Sequence, residues 1–424
     1  MFFNSNYPSV DPSALNNIPF FVKSDYGFVH MYALTMVLGI LFSILGSYVL
    51  AKSKKLPADP FIFSIIIIVP AALFFASFFG KTDFSQSNWF HFYNFAFWAK
   101  TGGMSIHGGV LGGMIAGLIF LKITTKKYNI SMWLYADCIL PNVLIGQCIG
   151  RWGNFFNHEL LGTKTSYDAL SWLPDFIRNN AFLRYSPTGF AEGGNGPFNL
   201  QFRQPIAVYE SMLDLFAWII IILIVPNLNR IFNHKIKHDY SNYQQFTLKK
   251  YFVFQLAKVK YFFANKKDIK NIKPIRNWTT FKQLYNNYYY QKKIWVYPKE
   301  EFKKKYFTLK LQTTSNQNRF KKFFINLKVN ISYSRYLTKE NNPKNYFILK
   351  CGVTSGLYLM FWNYIRFVLE TQREKQELFI IGYRAIDYGV IIAIGTIGLL
   401  LAIYNQFINP LFFRKKEKLY EKKY

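Results

Sequence analysis

The sequence predicts an all-α protein that crosses a membrane about seven times, and three observations carry that prediction. Of the 424 residues, 51% are hydrophobic and 20% aromatic, yet the formal net charge is +30. The apolar residues gather into long runs, near 28–51, 60–80, 104–122, 131–150, 205–226, 347–369 and 379–407, with the basic residues between them. Most runs reach the roughly 20 residues that a helix needs to cross a hydrocarbon core of about 30 Å. A backbone in lipid must satisfy its own polar groups, which leaves helices or a closed barrel, and these runs lack the alternation of barrel strands.

Taken in order, the first run follows MFFNSNYPSV, which has no charged start of the kind a cleavable signal carries, so the run is expected to insert and stay. It ends in KSKK, Lys52 to Lys55. The third run contains GGMSIHGGVLGGMIAG, where Gly109, Gly113 and Gly117 repeat every fourth residue and permit close approach of another helix. It ends in KITTKKYN, and the seventh run is followed by RKKEKLYEKKY. Basic segments stay on the cytoplasmic side, so the amino terminus is expected outside and the carboxyl terminus in the cytoplasm. The segment 155–203 then lies outside the cell, and its Lys164, Arg178, Arg184 and Arg203 are balanced by Glu159, Asp168, Asp175 and Glu192.

Three regions follow: a membrane core over 1–226, an insert over 227–345, and a second part of the core over 346–424. The insert holds 27 Lys and Arg against 5 Asp and Glu, most of the excess charge of the chain. Stretches such as NNYYYQKKIWVYPKEEFKKKYF interleave aromatics with lysines. Three readings stay open for it: a solvated cytoplasmic loop, attachment to an anionic leaflet, or single-stranded nucleic acid binding. Cys138, Cys148 and Cys351 all fall inside expected spans; the first two are ten residues apart, about 15 Å along a helix, and cannot pair with each other. They are expected as buried packing residues.

Charged groups inside spans are costly, so each is a candidate for function. They are His107, Asp137, Arg151, Glu210, Arg366, Arg384 and Asp387. His107 is either a hydrogen-bonded strut in the glycine seam or a base that titrates near neutral pH. In IGRWGNFFNHELLG, Ile149 to Gly162, Arg151, Asn154, Asn157 and Glu159 gather behind a span. A guanidinium fork suits phosphate oxygens; the alternative is an arginine snorkelling at the interface beside capping asparagines. Arg366 in SGLYLMFWNYIRFVLE and Glu210 in QPIAVYESMLDLF lie on other spans. Two arginines from distant helices meeting on one anion would suit a phospholipid head group, and the spacing alone does not establish the meeting. The rival class is a transporter of an anionic solute, although no inverted repeat is apparent.

GRWGNFFNHELLG fits the pattern G-R-x-G-N-F-x-N-x-E-x-x-G of the prolipoprotein diacylglyceryl transferase family. GGMSIHGG resembles that family's histidine motif, QPIAVYE the start H-P-x-x-x-Y-E of a further helix, and SGLYLMFWNYIRFVLE the helix of a second essential arginine. HMYALTMVLG resembles the first helix, with Tyr32, and ADCILP the segment bearing Asp137. The resemblance implies a multi-pass enzyme of the bacterial cytoplasmic membrane. Such an enzyme moves the diacylglyceryl group of phosphatidylglycerol onto the lipobox cysteine of prolipoproteins, forming a thioether and releasing glycerol phosphate. It implies catalytic roles for His107, Arg151 and Arg366, with His107, a phosphate oxygen or another side chain taking the thiol proton. It further implies lipid contacts for Arg151, Asn154, Glu159, Gly162, Tyr32 and Glu210, and supporting roles for Asp137, Asn157, Gly108 and Gly109. Its partners are then phosphatidylglycerol, prolipoproteins and the bilayer; no metal, soluble cofactor or nucleic acid is expected. The chain departs from the pattern at Gln204, usually histidine, at Trp362, usually tyrosine, at Ala71 or Ala72, often arginine, and in the long insert.

Overall fold

The computed structural model describes residues 9–10, 19–53, 56, 58–81, 106–127, 131–185, 198–228, 318–341, 349–373 and 383–409. Its frame is helical: α1 (Met31–Ser53), α2 (Ala58–Lys81), α3 (Ile106–Lys127), α4 (Met132–Phe156), a one-turn α5 (Asp175–Arg178), α6 (Ile206–Ile219), α7 (Arg319–Asn341), α8 (Val353–Glu370) and α9 (Arg384–Ile403). The helices α6 and α9 each continue into a π-helical turn, Ile220–Ile224 and Tyr404–Ile408. Six helices among the described residues, α1 to α4, α6 and α9, are long and apolar enough to cross a membrane. The run expected at 347–369 forms α8, which starts at Val353 and has 18 residues. It is less apolar than the six because Asn363, Arg366 and Glu370 interrupt it, and all three are buried.

Outward faces of these helices are covered with exposed apolar side chains, such as Val37, Leu41 and Leu45 on α1 and Ile62, Phe63 and Ile66 on α2. Water would not tolerate such a surface, and a bilayer does. Half of the α4 span is buried, against 17% for α1 and α2, which makes α4 the central helix. Ser131 caps its start by accepting from the Trp133 backbone N–H. The closest packings join α1 to α4, α2 to α3, α8 to α9 and α4 to α6. Small residues make them possible. At Gly146 a Cβ would lie 2.3 Å from Ser43 Oγ, and at Gly39 a Cβ would lie 2.6 Å from the Gly146 carbonyl oxygen. The Ser43 hydroxyl donates to the Asn142 carbonyl, and Trp218 Nε1 donates to the Asn142 side chain, tying α1 and α6 to α4.

The end of α4 opens into a cap that is not helical in the main. Strands β1 (Ser9–Val10), β4 (Phe182–Tyr185) and β5 (Phe198–Phe202) form an antiparallel sheet in the order β1-β5-β4, with Phe182 opposite Phe202. A two-stranded ribbon, β2 (Asp25–Tyr26) with β3 (Val29–His30), precedes α1. The expected all-α class therefore describes the membrane frame and not this cap, where short strands pair edge to edge and bury a core of their own. That core includes Phe155, Leu170, Leu173, Ile177, Phe182, Phe202 and Val208. Asn180 accepts the Val22 N–H and donates to the Phe20 carbonyl, so the segment entering α1 is fastened to the cap.

The three cysteines are buried, as expected. Cys138 Sγ donates to the Leu134 carbonyl, and Cys148 lies 3.3 Å from Ser211 Oγ.

Candidate active site

Three helices bring buried charge to one place beneath the cap. Arg151 stands in the last two turns of α4, Glu210 in the second turn of α6, and Arg366 in the last two turns of α8. Arg151 Nη2 donates to Glu210 Oε1 at 2.5 Å. The other carboxylate oxygen, Oε2, lies 3.3 Å from Arg373 Nη2 and 3.7 Å from Arg366 Nη1. Glu370 Oε2 forms ion pairs with Arg366 Nε at 2.8 Å and with Arg373 Nε at 3.5 Å. Glu210 and Glu370 are fully buried, and Arg151 and Arg366 are 4% and 7% exposed. A buried guanidinium deprived of its carboxylate costs several kcal/mol, so this interlocked set holds each of its members in position. Within the ion-paired set, three guanidinium groups face two carboxylates. Arg151 Nε is buried and has no hydrogen-bond acceptor among the described residues.

The expected meeting of Arg151 and Arg366 is thus present, and Glu210 is its centre. Glu210 spends both oxygens on arginines. Asn154 Nδ2 and Asn157 Nδ2 donate to the two oxygens of Glu159, at 3.2 and 3.3 Å, so that Asn154 and Glu159 orient one another. This turn is held by force. His158 and Leu160, on either side of Glu159, take φ of 53° and 54°, a left-handed conformation that costs about 1–3 kcal/mol per residue without glycine. The His158 ring sits between the carbonyls of Asn180 and Val22 at 3.0 and 3.2 Å and stacks on Phe21. Gly162 is buried beside α6, where a Cβ would lie 2.6 Å from Ile206 Cδ1, and it serves packing. Its N–H donates to the Gln204 carbonyl.

From this polar centre a cavity of about 620 Å³ runs between α1, α2, α3, α4, α8 and α9. Tyr32, Gln147, Arg151 and Asn154 line its polar part; Ile40, Ile65, Val110 and Leu140 are among the apolar side chains lining the rest. A cavity lined by a guanidinium and otherwise mostly by apolar side chains matches a molecule with an anionic head and an oily tail. Gly108 and Gly109 pack α3 against α2: a Cβ at Gly108 would lie 2.6 Å from the Phe75 carbonyl oxygen. His107 belongs to the first turn of α3, and its side chain lies outside the described residues.

Asp137 works at the far end of the bundle. Its Oδ2 accepts the Gly352 N–H at 2.6 Å, and its Oδ1 accepts the Ser355 N–H and hydroxyl at 2.9 and 2.7 Å. A carboxylate from α4 therefore caps the amino end of α8, where unpaired N–H groups and the helix dipole favour negative charge. Gly352, at φ 90°, has Asn405 so near that a Cβ would lie 2.4 Å from its Nδ2.

Sequence reading missed Glu370 and Arg373. With Arg366 they stand at i, i+4 and i+7, a spacing that sets Glu370 on the face of Arg366 and Arg373 in the turn just beyond the helix, and would have flagged them. It missed Asp214 too, one turn after Glu210, a buried carboxylate whose oxygens have no hydrogen-bond partner among the described residues. Arg384 Nη2 donates to the Arg373 carbonyl at 2.9 Å and so braces the cluster from α9. Where the family pattern has tyrosine, Trp362 stacks on Tyr358 with centroids 6.0 Å apart. Gln204 accepts from the Tyr209 hydroxyl at 2.8 Å.

The family model described as prolipoprotein diacylglyceryl transferase matches residues 21–243. A phosphatidylglycerol–prolipoprotein diacylglyceryl transferase of Ureaplasma parvum is 28% identical over 229 residues, covering 50% of this chain and 65% of that protein. One from Malacoplasma penetrans is 32% identical over 219 residues, 46% of this chain and 57% of its own. A third, from Bacillus cereus, is 30% identical over 206 residues, 47% and 67% of the two chains. The match thus spans less than two thirds of the Ureaplasma and Malacoplasma relatives. Over more than half its length, including Arg151 on α4 and Glu210 on α6, this chain belongs to the prolipoprotein diacylglyceryl transferase family.

Proposed function

We propose that the protein is a transferase that moves the diacylglyceryl group of phosphatidylglycerol to the lipobox cysteine of bacterial prolipoproteins. The observation that carries this reading is the approach of Arg151 and Arg366 to one carboxylate, Glu210, at the polar end of an oily cavity. In this reading the acyl chains lie along the cavity and the phosphodiester sits against the unpaired Arg151 Nε. The cysteine thiol, with a pKa of about 8.5, must lose its proton to attack. His107 or a phosphate oxygen receives that proton. The sulfur pair then forms a bond to the terminal glycerol carbon, and the pair of the breaking C–O bond leaves on the phosphate. Arg151 and Arg366 stabilise the charge growing there, in a site from which water is excluded. Glu210 and Glu370 position the arginines; Asn154, Glu159 and Tyr32 border the head group. Asp137, Asn157, Gly108 and Gly109 keep the frame in place.

The same proposal extends to topology. The chain crosses the bacterial cytoplasmic membrane seven times, α8 included, with the amino terminus and the cap outside and the insert 227–345 in the cytoplasm. The basic segments after α1, α3 and α9 support that orientation. The reaction as written needs no metal or soluble cofactor, and no nucleic acid takes part.

The test mixes purified protein with phosphatidylglycerol and a lipobox peptide and follows the mass of the peptide. Gain of one diacylglyceryl group is the expected result. A peptide of unchanged mass, with an anionic solute crossing proteoliposomes instead, would replace this reading with transport.

A further inference from the structure

We propose that α7, the helix within the basic insert, lies along the membrane and seats its phenylalanine stripe in an anionic leaflet. Phe320, Phe323 and Phe324 are 77%, 62% and 54% exposed. With Leu327 and Ile331 they fall at i, i+3, i+4, i+7 and i+11, one apolar face of a helix. The rings of Phe320 and Phe324 lie 5.5 Å apart and those of Phe323 and Phe324 5.6 Å, so the face is a continuous ridge. Lys321, Lys328 and Arg335, spaced seven residues apart, form a basic row on the adjoining face. From Arg319 to Asn341 the sequence has six basic residues and one acidic residue, Glu340.

A helix with a bulky apolar face bordered by lysines is the form that settles into the boundary between head groups and acyl chains. Placement favours the same partner. α6 and α8 are packed into the bundle on either side of the insert, and only 11 residues, 342–352, separate α7 from α8. That link spans at most about 40 Å, so α7 stays close to the bundle end where Asp137 caps α8. Binding there is effectively intramolecular. A nucleic acid would satisfy the lysines and leave the phenylalanine ridge in water, whereas an anionic leaflet satisfies both.

The test uses the full chain, one copy per nanodisc, carrying Phe323→Cys labelled with an environment-sensitive fluorophore. The three native cysteines are buried and label poorly by comparison. In discs of phosphatidylglycerol and phosphatidylcholine, the label is expected to emit at short wavelength and to be quenched by spin-labelled lipid. Both signals should fall in discs of phosphatidylcholine alone, in high salt, and in the double variant Lys321→Glu with Lys328→Glu, whose insertion in discs is checked by size exclusion. Emission like that of a dye in water with both lipids, or quenching that ignores lipid charge, would overturn the proposal. So would a blue shift that arises only on adding RNA or only when two copies share a disc.

Discussion

Arg151→Lys tests whether the shape of the guanidinium, beyond its charge, drives the reaction. In the structure Arg151, which lines the cavity, uses one arm, Nη2, on Glu210 at 2.5 Å, and its Nε has no acceptor among the described residues. Lysine carries the same charge on a single nitrogen, which cannot hold the carboxylate and a phosphate in that fork geometry. Its ammonium stays with Glu210, since a buried carboxylate stripped of a partner is the costlier outcome. The loss is then one donor to the leaving phosphate, worth about 2.7–4 kcal/mol in related transition states. At about 1.36 kcal/mol per decade, that is on the order of a 100- to 1,000-fold fall in rate. Because the charge grows only in the transition state, the fall belongs to kcat more than to KM for phosphatidylglycerol. The assay is the initial rate of lipobox peptide modification in nanodiscs, with the thermal midpoint recorded beside it. Activity within about threefold of the parent, which is under about 1 kcal/mol, would refute the role given to the fork.

Asp137→Asn replaces the carboxylate that accepts from Gly352 and Ser355. It should cost about 1.5–3 kcal/mol, read as a lower thermal midpoint, and should slow transfer through the displaced Arg366. Two glycines of α4 should respond in opposite ways to leucine. At Gly150, which lines the cavity and where a Cβ would meet nothing within 4 Å, leucine should leave stability intact and obstruct lipid, raising KM. At Gly146 the crossing with α1 leaves no room, so leucine should lower yield and the thermal midpoint, by about 1–3 kcal/mol or more. Deleting 227–345 should leave peptide modification active, because the arginine cluster lies at the opposite end of α6 and α8; complete loss with normal insertion would count against this.

Hydropathy made the helical frame legible, since about 20 apolar residues in a row have few other uses. The motif from Gly150 to Gly162 likewise marked the place where Arg151, Asn154 and Glu159 gather. What stayed hidden depends on three-dimensional partnership. Glu210 stood in the sequence as one charged residue in an apolar run, and only the assembled bundle reveals three guanidinium groups around it. The cap escaped notice because its strands have two to five residues and pair across long gaps, as Ser9 does with Asn199. Glu370 and Arg373 were passed over at the end of a span, where charged residues ordinarily mark the interface, although Glu370 shares a helical face with Arg366.

The Asp137 grip on α8 has a consequence for how the chain tolerates change in length. Each residue added to a helix turns everything beyond it by about 100° and moves it about 1.5 Å. Additions between Ser355 and Arg366 would swing the arginine away from Glu210. Additions before Gly352 end at a fixed anchor, which sets the rotation of α8 anew whatever precedes it. A long insert can therefore stand immediately upstream of the helix that bears Arg366, and the arginine still arrives in phase.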